Sequence, residues 1–324
     1  MDILFLGTGA LGVLFAARLA EAGHRVTMLG TWRDGIASLQ KDGARLVDAE
    51  GNEHSYKVRA TDDPRDCVGA KYALVLVKAW QTERAANQLK ECLADDGLAI
   101  TLQNGLGNFE TLSQVLDKSA TEITEKKREK NSKNSALSMA KKLSRVALGS
   151  TTTGATLVAP GVARAGGEGI VSIQRHPAVP AIEAGLTSAK FNVHIVEDAQ
   201  ALVWGKLVVN AAINPLTALL RVPNGELLKR PAARELMVKL AREAAEVARA
   251  EKIKLPFDDP VAFAEEVARK TAANQSSMLQ DVLRGAPTEI DAICGAVVNA
   301  GKKHKIETPA NFVCWKLVKA ISGA

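Results

Sequence analysis

The residues that constrain this chain most stand at its N-terminus. Asp2-Ile3-Leu4-Phe5-Leu6 is a short apolar run that reads as a buried parallel strand. It leads directly into Gly7-Thr8-Gly9-Ala10-Leu11-Gly12, then into a helical pattern that runs to Ala22 and stops at Gly23. Arg25-Val26-Thr27-Met28-Leu29 follows as a second strand. A lone GxGxxG string is a weak signal, but in the order strand, glycines, helix, strand it points to a dinucleotide-binding unit. Gly7 permits the tight turn, Gly9 lets the backbone approach a pyrophosphate, and Gly12 lets helix and strand pack closely. The pyrophosphate would sit on the helix N-terminus, where free N–H groups and the helix dipole favour an anion. The whole run Gly7, Thr8, Gly9, Ala10, Leu11 and Gly12 is expected to touch the cofactor.

The following segments place more chemistry on the same edge. Dinucleotide sites for NAD usually carry Asp or Glu near the end of the second strand, to hold the ribose hydroxyls. Here that strand leads into Leu29-Gly30-Thr31-Trp32-Arg33, and Asp34 comes late. Thr31 and Arg33 suit a 2′-phosphate better than a carboxylate would, which favours NADP. Two further apolar runs, residues 73–77 and 98–102, end in Lys78 and in Gln103-Asn104-Gly105-Leu106-Gly107. In an open α/β sheet ligands lie outside the carboxyl ends of the strands. Lys78 is therefore placed to meet a phosphate or ribose, and Asn104 to meet the nicotinamide or the substrate. Residues 149–174 are rich in Gly, Thr and Val, and are expected to close the sheet with antiparallel strands, ending near 191–198.

Composition removes several function classes. At 324 residues and 47% apolar content the chain is long enough for two globular domains. No uninterrupted apolar run approaches the roughly 20 residues of a membrane span, and the first residues lack the basic region of a signal peptide. A cytoplasmic protein without a membrane partner is the expectation. Cys67, Cys92, Cys294 and Cys314 form no CxxC pair, and His24, His54, His176, His194 and His304 have no metal-ligand spacing. No metal is expected. The formal charge of +6 suggests nucleic acid until it is counted by segment: residues 118–145 alone hold nine Lys/Arg and three Glu, which accounts for the whole surplus. That stretch reads as a solvated surface insertion, and no nucleic-acid partner is expected.

From Ala199 onward the pattern is helical, with apolar periodicity over 199–220, 231–251, 258–284 and 286–320. The expected domains are therefore 1–198 and 199–324. In the first of these helices Lys206, Asn210 and Asn214 recur at steps of four, so a polar stripe runs along one face of an otherwise apolar helix. Two further polar groups are Asn274 to Asp281 and Thr288-Glu289-Ile290-Asp291. Glu289 and Asp291 taken alone read as first-turn helix acids. Beside a nucleotide fold, the stripe instead suggests carbonyl reduction. A lysine can give both charge and proton to a developing alkoxide, and burial on an apolar helix would bring its pKa towards neutrality.

These elements together resemble the ketopantoate reductase (2-dehydropantoate 2-reductase) family. The resemblance is carried by LGTGALG, LVKAWQT, LQNGLGN, WGKLVVNAAINPLTALLRVPNGEL, NQSSMLQDVLRGAPTEIDAICG and HKIETPAN, in order from residue 4 to about 311. It implies a Rossmann-type α/β N-terminal domain followed by an all-helical one, the 6-phosphogluconate dehydrogenase-like arrangement. It implies NADPH-dependent reduction of ketopantoate to (R)-pantoate, a small-molecule substrate, and a monomer or homodimer. Lys206 matches the family's general acid, and Glu289 the acid that binds the substrate hydroxyl, helps set up that lysine and meets the cofactor. Asn210, Asn214, Asn274 and Ser277 match the polar groups around the substrate, Ser277 at its carboxylate. Asn104 matches the asparagine between cofactor and substrate, Lys78 the lysine near the ribose-phosphate, and Asn224 an asparagine implicated in domain closure. Two departures stand out: Thr31 takes a place where some relatives have arginine, and the compact family pattern has no counterpart of segment 118–145. A dehydrogenase of another small 2-keto acid, or a non-catalytic NADPH sensor on the same fold, are the alternative readings.

Overall fold

The computed structural model describes residues 1–117 and 143–322, so most of the expected insertion lies outside the described residues. The chain divides into two compact units: Met1–Gln103 with Asn108–Ala199, and Asn104–Gly107 with Gln200–Ala324. The strand-end loop 104–107 thus belongs with the C-terminal helices rather than with the strand that precedes it.

The first unit runs β1 (Asp2–Leu6), α1 (Ala10–Glu21), β2 (Arg25–Leu29), α2 (Arg33–Asp42), β3 (Ala44–Val47), β4 (Glu53–Tyr56), β5 (Arg59–Thr61), β6 (Ala70–Val75), α3 (Thr82–Cys92) and β7 (Leu93–Thr101). It continues with α4 (108–117), β8 (Val146–Thr151), β9 (Ala155–Ala159), β10 (Val162–Ala165), β11 (Ile170–Gln174), α5 (Val179–Ser188) and β12 (Asn192–Val196). Eight strands form one sheet in the order β12-β11-β8-β7-β6-β1-β2-β5. From β5 to β8 all neighbours are parallel. Parallel strands need crossovers, and the crossover helices cover the sheet, so β1 and β6 end in fully buried runs. This is a Rossmann-type sheet, with the order reversing between β1 and β6. Two apolar cores fill it, one around Phe5, Phe15 and Leu74, the other around Leu6, Val75 and Leu89. Phe15 also stacks on Phe191, with ring centroids 4.1 Å apart.

The closing strands differ from the sequence expectation. β8 joins β7 in parallel; among the described residues of the main sheet the one antiparallel pairing is β11 with β8, and β12 pairs parallel to β11. β9 and β10 leave the main sheet and form a second one with β3 and β4, in the order β4-β3-β10-β9. β4 reads Glu-His-Ser-Tyr and is almost wholly exposed, so it carries none of the apolar alternation by which strands are found.

The second unit contains α6 (Gln200–Leu220), α7 (Glu226–Lys229), α8 (Pro231–Ala250), α9 (Pro260–Lys270), α10 (Ser277–Leu283), a π-turn at Asp291–Gly295, α11 (Ala296–Lys303) and α12 (Pro309–Ser322). α6 is its axis, packed by α8, α9, α10 and α12. By length and composition α6 is apolar enough to cross a membrane, yet 78% of that stretch is buried inside the structure, as in the core helix of a globular unit. Two of the long helices expected from periodicity are broken. Residues 271–276 leave the helix to pair with the 223–225 turn. The last is interrupted at 304–308, where Lys305 adopts φ +58° and Pro309 disfavours helix at Thr308.

Candidate active site

In the first unit the glycine loop has the geometry its sequence calls for. Gly7 has φ +119°, and a Cβ there would lie 3.0 Å from the backbone of Leu76 and Val77. The turn after β1 is thus pressed against the turn after β6, where the strand order reverses. At Gly12 a Cβ would come within 2.2 Å of the Gly7 carbonyl oxygen, so only glycine lets the helix start this close to the strand. A Cβ on Gly9 would meet nothing within 4 Å. Gly9 is the N-cap of α1 and gives no side-chain cap; the first turn carries no acid. An uncapped helix N-terminus next to open space suits the pyrophosphate of a dinucleotide. Thr8 is buried, its side chain packed on Gly30 at the end of β2. Thr31 and Arg33 are exposed, Arg33 as the first residue of α2, with no acid between Leu29 and Arg33.

Lys78 is half-buried at the loop after β6, and its backbone N–H donates to Gln81 Oε1 at 3.2 Å. A network the sequence reading did not find holds this loop. Gln103, buried at the end of β7, donates through Nε2 to the Val77 carbonyl at 2.9 Å and to Thr82 Oγ1 at 2.8 Å. Thr101 donates to Gln103 Oε1 at 3.0 Å, and Thr82 donates to Asn108 Oδ1 at 2.7 Å. Both strand-end loops are therefore tied to one buried amide. The only sequence signal for it is a polar residue directly after a five-residue apolar run.

In the second unit Lys206 and Asn210 are half-buried on α6 and Asn214 is buried. Burial draws the Lys206 ammonium down to about 8, and the Glu289 carboxylate opposes that fall. Glu289 is itself only 6% exposed. Asn104, on the loop that belongs to this unit, donates from Nδ2 to Glu289 Oε2 at 3.2 Å. Three residues separated by up to 185 positions, Asn104, Lys206 and Glu289, thus share one site.

The loops carrying Asn274 and Ser277 are fixed from α6 and from the 223–225 turn. Asn224 and Gly225 donate backbone N–H groups to Asn274 and Ala272 carbonyls at 3.0 and 3.1 Å. Asn224 Nδ2 donates to Thr271 Oγ1 at 2.9 Å. Asn224 is buried against this loop, so within its unit it acts as an anchor of the 271–274 segment. Ser276, within the Asn274–Asp281 cluster, caps α10 by accepting from Leu279 N and hydrogen-bonds Thr217 at 2.7 Å. Ser277 and Asn274 remain exposed beside it.

Arg145 requires a correction. Counted with the charged insertion, it is in fact 8% exposed, at the entry to β8. Its Nη2 donates to the carbonyls of Leu93 and Ala94 at 3.1 and 2.6 Å. Asp117 accepts from Ser144 Oγ and Arg145 N at 2.9 and 2.8 Å.

Comparison with known proteins gives the family. Residues 3–178 match the family model described as ketopantoate reductase PanE/ApbA, and residues 198–322 match that of its C-terminal part. A 2-dehydropantoate 2-reductase of Archaeoglobus fulgidus is 33% identical over 98% of this chain and 97% of its own length. One from Halobacterium salinarum is 31% identical over 95% of each chain. Among solved structures, a PanE/ApbA family ketopantoate reductase from Ralstonia eutropha superposes with a TM-score of 0.86 at 29% identity, covering 100% of this chain and 99% of that one. D-mandelate dehydrogenase, solved with NADH and anilino(oxo)acetate, has a TM-score of 0.85 at 24% identity over 100% and 99% of the two chains, a likeness of fold. With both halves of the chain matched in order, and relatives above 30% identity along nearly its full length, this protein belongs to the ketopantoate reductase family.

Proposed function

We propose that this chain is an NADPH-dependent 2-dehydropantoate 2-reductase, with residues 1–198 holding the dinucleotide and 199–324 supplying the chemistry. The observation that carries the reading is the Lys206 ammonium drawn to about 8 beside the buried Glu289. A proton donor works best when its pKa lies near the working pH, and an ordinary lysine at about 10.4 is too weak an acid. Bound, the reduced dinucleotide supplies a hydride to the 2-keto carbon. Lys206 Nζ gives its proton to the ketone oxygen and regains one from water. Glu289 accepts the substrate hydroxyl and keeps Lys206 charged until the substrate is bound. Asn210, Asn214 and Asn274 line the substrate, and Ser277 donates to its carboxylate. Asn104, bonded to Glu289, is shared between nicotinamide and substrate. The pyrophosphate takes the Gly7–Gly12 turn, Lys78 the ribose-phosphate end, and Thr31 with Arg33 the 2′-phosphate.

The thiols Cys67, Cys92, Cys294 and Cys314, all buried and unbridged, fit a reducing compartment, and we place the enzyme in the cytoplasm. The test follows loss of NADPH absorbance on addition of ketopantoate, for the wild type and Lys206→Ala. Rapid oxidation that falls at least ~10²-fold in the variant is the expected result. Dinucleotide binding without turnover on any keto acid would instead mean a sensor. Equal kcat/KM on a 2-keto acid without the hydroxyl would leave Glu289 without its partner and point to another substrate. Replacing NADPH by NADH, and Arg33 by Ala, tests the cofactor choice; Arg33→Ala is expected to raise KM for NADPH and leave that for NADH unchanged.

A further inference from the structure

Asp291 stands two residues after Glu289, and as a first-turn helix acid it would need no further role. Its surroundings give it one. Residues Asp291–Gly295 form a π-turn, in which Gly295 N–H donates to the Ile290 carbonyl, five residues back, at 3.0 Å. Such turns are rare and persist where neighbours hold them. On one side α12 does so: Trp315 Nε1 donates to Asp291 Oδ1 at 2.6 Å, and Lys319 Nζ lies 3.1 Å from both carboxylate oxygens. The indole also covers Gly295 so closely that a Cβ there would come within 3.0 Å of the ring. On the other side the turn offers the Ala292 carbonyl, which accepts from Leu106 N–H at 3.0 Å. Gly105, at φ +82°, lies so near that a Cβ would be 2.4 Å from the same oxygen. The loop seated there carries Asn104, whose amide donates to Glu289.

We propose that Asp291 and Trp315 are positioning residues of the reaction: their bond holds the π-turn in the register that seats loop 104–107 and so keeps Asn104 against Glu289. This rests on the roles given to Lys206 and Glu289 above. Of the two partners of Asp291, Trp315 carries the effect. The Lys319 pair is formed by side chains 34% and 59% exposed, where an ion pair contributes little. The indole bond is charge-assisted and fixes a ring that also packs on the turn.

The test compares pH profiles of kcat/KM for the full-length enzyme with NADPH and ketopantoate. Glu289 opposes the fall of the Lys206 pKa, so displacing its carboxylate lowers the pH at which activity is lost. Glu289→Gln should move the alkaline limb down most. Trp315→Phe and Asp291→Ala should move it the same way by about half a pH unit, a shift that a merely destabilised enzyme does not show. Asp291→Asn removes the same charge but keeps an acceptor for the indole, and should restore the wild-type limb, as should Lys319→Ala. A limb unmoved in Trp315→Phe and Asp291→Ala, while Glu289→Gln shifts it, overturns the proposal alone, whatever happens to their melting temperatures. A limb that moves equally in Asp291→Asn and Asp291→Ala makes charge, not position, the cause and also overturns it. No shift in Glu289→Gln overturns the reading of the Lys206–Glu289 pair and the proposal with it.

Discussion

Lys206 shows how one side chain can have its chemistry set by burial. Burial desolvates its ammonium and draws it down to about 8, and the Glu289 carboxylate opposes that fall. As the proposed general acid it must be protonated to act, so kcat/KM for the reduction is expected to fall above about pH 8, with a one-proton slope. A limb near 10 would mean an unperturbed lysine. The same shift bears on stability. Between about 8 and the unfolded-chain value of 10.5, the unfolded state binds more protons, so stability from this group rises with pH through that window. At pH 7 the folded protein carries the full cost of a buried ammonium. Lys206→Met should therefore raise the melting temperature at pH 7, and raise it less at pH 10. A lower melting temperature for this variant at pH 7 would count against desolvation as the cause. The stripe of Lys206, Asn210 and Asn214 was legible as residue types at helical spacing. Glu289 as the partner of Lys206 was legible only through the family resemblance, because nothing in local sequence relates positions 206 and 289.

At the scale of elements, two glycines of the same turn are expected to fail differently. Ala at Gly12 would put a methyl 2.2 Å from the Gly7 carbonyl oxygen, a backbone atom that no rotamer change can move away. Gly12→Ala should lower stability by roughly 1–3 kcal/mol, the usual cost of overpacking, and weaken dinucleotide binding with it. Ala at Gly9 meets no protein atom within 4 Å, so the fold should tolerate it. The methyl would instead occupy the space given above to the proposed pyrophosphate. Gly9→Ala is expected to leave the melting temperature unchanged while raising the NADPH Kd at least tenfold, about 1.4 kcal/mol. Parallel melts and fluorescence titrations check both, and unaltered binding in Gly9→Ala would remove the pyrophosphate from this turn. The elements with strong periodicity, β1, α1, β2 and α6, were legible because each carries its whole pattern locally. β3, β4, β9 and β10 were not, being short and partly exposed, as β4 shows best. The breaks in the last helices depend on Lys305 at φ +58° and on pairing with the 223–225 turn, both set from outside the segment.

For the whole molecule, each unit buries its own apolar cores, around Phe5 and Leu89 in the first and around Leu207, Leu240 and Val297 in the second. Asp117 accepts hydrogen bonds from Ser144 and Arg145, which brings together the two chain ends flanking the charged stretch 118–142. Replacing 118–142 with a short Gly/Ser linker is therefore expected to leave kcat/KM and the NADPH Kd within about twofold, since closure entropy depends only weakly on the length of chain joining two fixed ends. Asp117→Ala, in contrast, should lower the melting temperature. A tenfold loss of activity on excision would give the segment a part in catalysis.

The sequence by itself determined the class of fold and offered the residue types of the candidate site, because strand–glycine–helix order and helical spacing are local patterns. It also contained the family's motifs in order. The tertiary structure decided which of those residues work together. It placed loop 104–107 with the C-terminal helices, set Asn104 against Glu289, took Arg145 out of the charged segment and into the body, and made Gln103 the tie between two strand ends. Those outcomes rest on hydrogen bonds and desolvation between residues far apart in the chain, and such contacts exist only once the backbone has folded.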